Sequence, residues 1–169
     1  MTKDISSFTL KELQNLIANH RRQSATNDPL YLAAIEEHAK RIGNGLSFGK
    51  TLGAIVASAR GGCFLGYRMV ADESGADWNR VHWSMGKHLG ELLEFSHRRG
   101  WPLLTSIVVN QRYIKTGEME PESLAGFVEI ARRLGFQVVD EVAFLREQQL
   151  RVFAWARDTD FENLKFPAI

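Results

Sequence analysis

Helix-start signals recur down the chain, and between them lie short apolar runs bounded by glycine or proline. That alternation restricts the fold to many helices around little sheet. Thr9 and Glu12 have the spacing of a capping box, in which side chain and backbone satisfy each other's free donors. Phe8 and Leu13 flank the cap as a hydrophobic staple, and Leu13, Leu16 and Ile17 supply the apolar stripe of a helix ending near Arg22. Asp28 and Pro29 open a second helix that runs to Ile42, with Gly43 as its stop. Ser47 caps a third, carrying Leu52, Ile55, Val56 and Ala59 and broken by Gly61 and Gly62. Asp77 caps the longest, 78–99, and Gly100 closes it. Pro121 begins another, with Leu124, Phe127, Val128, Ala131 and Leu134 on its buried face. Asp140 caps a last helix to Arg157, with Val142, Leu145, Val152 and Phe153 turned inward; the tail 158–169 reads as irregular.

Three runs are rich in strand-formers: "CFLGYRMVA" (63–71), "LLTSIVVN" (103–110) and "FQVV" (136–139). Strand, helix, strand, helix, strand, helix from residue 63 favours parallel pairing through crossovers. The expected fold class is α/β: one compact, mostly helical domain over 1–169, with about three strands and two extra N-terminal helices. At 169 residues the chain is long enough to bury a core without staples. The single cysteine, Cys63, excludes an internal disulfide and a cysteine-based metal cluster. No secretory leader and no membrane-length apolar run is evident, so a cytoplasmic protein is expected.

The segment "GNGLSFGKTL" (43–52) invites a phosphate-loop reading. Such a loop needs glycine five residues before the Gly-Lys pair and a buried strand ahead of it. Asn44 stands at the glycine position, and "AAIEEHAKRI" before it has helical spacing. "LSFGKTLGAIV" (46–56) instead recurs as "WSMGKHLGELL" (83–93), matching Ser, Gly, Lys, Leu and Gly. In the second copy Gly86 and Gly90 share one side of a helix. Each interior glycine costs about 1 kcal/mol relative to alanine. Close approach of another backbone, that of the helix bearing Gly49 and Gly53, is the expected reason.

"HLGELLEFSH" (88–97) holds His88, Glu91, Glu94 and His97 at spacings that metal sites also use. These residues spread over about half the helix circumference, and Arg80, Lys87 and Arg98 share the arc of the two glutamates. A solvated, salt-laced face is expected, with no metal site and no cofactor. His82 falls on the apolar side as a core histidine, and Cys63 reads as a small hydrophobe on a core strand. An enzyme would need an unfamiliar site around His82, His88 or Cys63.

Arg98, Arg99, Trp101, Arg112, Tyr113 and Lys115 flank the ends of the run 103–110. Cations interleaved with aromatics suit phosphate contact and base stacking. The formal charge of +1 argues against binding by whole-body electrostatics and leaves a local patch.

The stretches "LGELLEFSHRRGWPLLTSIVVN", "TGE", "ARRLGF" and "DEVAFLREQQLRVFAWA" make the second half of the chain resemble a group of small bacterial proteins. Members of that group are encoded on mobile elements or near restriction-type genes. The resemblance carries no catalytic residues over to this chain. Where the group has a short glycine-rich turn, this chain has the acidic "EMEPESLA" (118–125). The function expected is a non-catalytic binding protein in that setting, contacting nucleic acid or a nucleic-acid-handling protein. The alternative is a homodimeric interaction protein that uses exposed tryptophans and the glycine-lined helix face.

Overall fold

A computed structural model describes residues 4–25, 28–42 and 45–160 of the chain. Among them are seven α-helices: α1 (Leu10–Arg22), α2 (Pro29–Ile42), α3 (Phe48–Arg60), α4 (Tyr67–Glu73), α5 (Trp78–Arg98), α6 (Pro121–Arg133) and α7 (Glu141–Asp158). Two short strands, β1 (Leu65–Gly66) and β2 (Val108–Val109), pair in parallel, Leu65 against Val108 and Gly66 against Val109. The protein is therefore mostly helical around a two-stranded sheet. No described helix is long and apolar enough to cross a membrane.

The helices begin where local chemistry dictates. Thr9 Oγ1 accepts from Glu12 N–H at 3.2 Å while Glu12 accepts from Thr9 N–H at 2.6 Å, completing the capping box. Asp28 accepts from Leu30 N–H, Ser47 from Lys50 N–H, Asp77 from Asn79 N–H and Asp140 from Ala143 N–H. Gly43, expected to stop α2, and Asn44 lie outside the described residues, as does 161–169 of the tail.

The three expected strands need correction. In 63–71 only Leu65 and Gly66 pair, and Tyr67 onward turns helical so that Val70 and Ala71 bury one side of α4. In 103–110 the backbone first winds into a 3-10 turn, Leu104–Ile107, before β2. Every residue from 103 to 109 is buried, and such a run carries no period that separates strand from helix. The third run, 136–139, forms no strand, and Val139 is 98 % exposed.

Two buried clusters share α7. Val152 and Ala156 join the larger, with Leu13, Ile35, Leu52, Ile55, Leu92 and Val108. Phe144 and Leu145 join the smaller, with Leu93, Leu103, Phe127, Val128 and Ala131. Val142, expected to turn inward, is instead 57 % exposed. It sits in the first turn of α7, ahead of the point where the helix meets the smaller cluster.

At Gly53, Gly86 and Gly90 the glycine repeat does not join two backbones. A Cβ at Gly53 or Gly86 would meet nothing within 4 Å, and at Gly90 it would meet only the Ile130 side chain of α6, 3.1 Å away. The two copies meet elsewhere. Thr51 and His88, equivalent residues 37 apart, form a buried hydrogen bond. Gly49, Lys50 and Thr51 lie in the first turns of α3, and the described element before them is the helix α2, where a phosphate loop needs a strand.

Candidate functional site

Two places carry the residues from which chemistry could be built. The first is the junction of α2, α3 and α5. His88, expected on a solvated face, is only 3 % exposed. Its Nε2 lies 2.8 Å from Thr51 Oγ1, and burial pushes its pKa down to about 4. His38 of α2 is 6 % exposed, with Nδ1 4.0 Å from Glu91 Oε1. Burial lowers the pKa of His38, and the charges of Lys87 and Arg21 add to the shift. Burial raises that of Glu91, while Lys87 and Arg21 oppose the rise.

Both imidazoles are thus held neutral at neutral pH. His38 Nε2 and His88 Nδ1 are buried without a hydrogen-bond partner among the described residues, and the two histidines line one cleft with Ser84, Lys87 and Glu91. Its volume, about 10 Å³, is at the lower limit for one water. Among the described residues no three histidine, cysteine or acidic side chains stand where they could hold a metal ion. Glu94, also on the expected salt-laced face, does pair with Arg98 at 3.0 Å, and it reaches Arg21 of α1 at 3.4 Å. His38 was not singled out in the sequence. The available signal was its place in the apolar stripe Ile35, His38, Ala39, Ile42.

The other two residues of the enzyme expectation have their own local partners. His82 is half-buried, its Nδ1 3.0 Å from the Trp78 carbonyl and its ring against Trp78 and Trp83. Cys63 is exposed in the turn after α3, with its thiol 3.4 Å from the Gly61 carbonyl, and is not on a core strand.

The second place is the cationic and aromatic rim, which divides in two. At the end of α5, Arg98 reaches Glu94 and donates to the Arg21 carbonyl at 3.2 Å. Arg99 is half-buried, its guanidinium 4.9 Å from the Phe95 ring centroid and 5.1 Å from that of Trp101, and burial lowers its pKa. Trp101 packs in turn on Trp155 at 5.1 Å. These side chains are tied into the fold.

At the far end of the 3-10 turn and β2, on the order of 15 Å along the chain, lie Arg112, Tyr113 and Lys115. Asn110 caps their turn by accepting from Arg112 N–H at 3.1 Å. The Arg112 guanidinium sits 5.4 Å from the Tyr113 centroid and 3.8 Å from Glu120. Arg112 and Lys115 are exposed and Tyr113 is half-buried. Comparison of the chain with family models, curated proteins and solved structures finds no match.

Proposed function

We propose that the protein is a cytoplasmic, non-catalytic binding protein of a mobile-element or genome-defence setting. It contacts nucleic acid or a nucleic-acid-handling protein. The observation that carries this reading is the exposed turn at 111–115, where a guanidinium is stacked on an aromatic ring and Lys115 follows it. That pairing of charge with a flat ring suits a phosphate backbone and an unstacked base. Arg98, Arg99 and Trp101 stand at the other end of 103–110 with their groups engaged within the fold, so the reading rests on Arg112, Tyr113 and Lys115.

Binding to labelled single- and double-stranded DNA and RNA, titrated with salt, tests the nucleic-acid branch. Lys115→Ala is expected to reduce the salt slope by about one. Tyr113→Ala is expected to cost about 1–3 kcal/mol of single-strand affinity. No binding at low salt, or binding indifferent to both substitutions, would remove it.

A second reading, the homodimer, is favoured by Trp83. It is 85 % exposed on α5 and lies one turn from Gly86, whose missing side chain leaves open space. A second copy could lay its own α5 there. Sedimentation equilibrium is then expected to give twice the chain mass, and Trp83→Ser the single mass. A monomer in both cases rules this reading out.

A further inference from the structure

A groove opens where the segment after Lys115 passes the starts of α6 and α7. Glu118, Met119, Leu124, Val142, Leu145 and Arg146 line it, and it encloses about 140 Å³. Leu145 is buried beneath it, Leu124 is half-buried, and Val142 stands more than half exposed at its side. Four of the six lining side chains are apolar and two are charged, so an apolar side chain placed between Leu124 and Val142 releases water favourably while a polar edge stays open beside it.

The charges around the groove are unequal in availability. The Arg146 guanidinium keeps its charge, but its Nη1 is turned to the Thr116 carbonyl at 2.6 Å and Gln149 Oε1 at 3.3 Å. Glu118 accepts one hydroxyl bond from Thr116 at 2.9 Å and enters no ion pair among the described residues. The flanking stretch "GEMEPES" (117–123) holds three glutamates and no basic residue; Glu120 pairs with Arg112, and Glu118 and Glu122 enter no ion pair among the described residues. An acidic edge repels phosphate and attracts lysine or arginine.

We infer that this groove docks a segment of a partner protein in which a leucine- or phenylalanine-sized side chain is flanked by basic residues. The apolar side chain fills the space between Leu124 and Val142, and the neighbouring cation meets Glu118. The groove is distinct from the turn at 111–115 and would bind without nucleic acid.

Two fluorescein-labelled lysine-rich peptides serve as probes, identical except that one carries a central leucine–phenylalanine pair and the other serines. Fluorescence anisotropy against the full chain is expected to show saturable binding of the apolar peptide only. Val142→Asp and Glu118→Lys should each weaken it about tenfold or more. Val142 lies in the first turn of α7, where aspartate suits the helix N-terminus, so that variant is expected to fold.

Three results would overturn the assignment: unchanged affinity in Val142→Asp, equal binding of both peptides, or no saturation by about 1 mM. So would a dimer that Val142→Asp dissociates, because a second copy would then be the occupant. No nucleic acid enters the assay, so failure here and failure of the rim reading are separately visible.

Discussion

Gly117→Ala is expected to lower the unfolding free energy by about 2–5 kcal/mol, one of the largest losses available to a single methyl group in this chain. Two causes add. The backbone at Gly117 has φ +74°, a left-handed conformation that costs an L-residue about 1–2 kcal/mol. A Cβ there would also fall on the Phe64 ring, with Cζ and Cε1 nearest. Phe64 cannot yield freely, because its ring packs edge-on against Phe153 of α7 at 5.3 Å. Nor can the turn shift, since Gly117 N–H donates to the Tyr113 carbonyl at 2.7 Å and its own carbonyl accepts from Gln149 Nε2 at 2.7 Å. Urea unfolding measures the loss. In a Phe64→Leu background the overlap is relieved, and the same substitution should cost only the left-handed share, about 1–2 kcal/mol. An equal loss in both backgrounds would show that the Phe64 ring plays no part.

A loss of stability on acidification is the second large effect, and it comes from His88. Above its ordinary pKa of 6.5 the imidazole is neutral in folded and unfolded chains alike, and stability does not respond to it. Between 6.5 and about 4 the unfolded chain takes up the proton and the folded chain does not, so stability falls as pH falls. Below about 4 both states are protonated and the loss levels off. The gap corresponds to about 3 kcal/mol in total. His38 acts in the same direction, because burial also lowers its pKa. Glu91 acts in the opposite direction: its raised pKa lets the folded chain bind a proton first, which offsets part of the loss. Urea midpoints followed from about pH 7 to about pH 4 give the slope. Replacing the pair together, His88→Leu with Thr51→Val, removes the titrating group and its partner and should flatten the curve. An unchanged slope in that double variant would place the acid sensitivity elsewhere.

The helix starts were legible because each is decided within four residues. Thr9 with Glu12, Ser47, Asp77 and Asp140 all bond the backbone that their positions imply. The strands were not, because whether an apolar run pairs depends on what lies beside it. The run 63–71 is rich in strand-formers, yet only Leu65 and Gly66 pair and the chain turns helical from Tyr67. Val139 follows the same composition rule and meets solvent. At the helix junction, the repeated glycines drew attention to the right pair of helices for the wrong reason. The contact runs through Thr51 and His88, two positions at which the copies differ. A histidine at the edge of a helix's apolar arc is not marked as buried or exposed by its own helix. The neighbouring helices α2 and α3 decide it, and one sequence does not place them. The division of the rim likewise follows from the path of 104–109, which separates Trp101 from Arg112.

Gln149 gives α7 a part in the order of assembly. From the last described helix its amide nitrogen donates to the Ser106 carbonyl at 3.0 Å and to the Gly117 carbonyl at 2.7 Å, partners 43 and 32 residues upstream. Until that amide arrives, the main-chain oxygens of two buried residues must be solvated, and neither hydrophobic cluster has its α7 side chains. On the ribosome, then, neither cluster can be completed while residues 144–156 are still inside the exit tunnel. A stalled or shortened translation product would emerge with its interior open to proteases and chaperones.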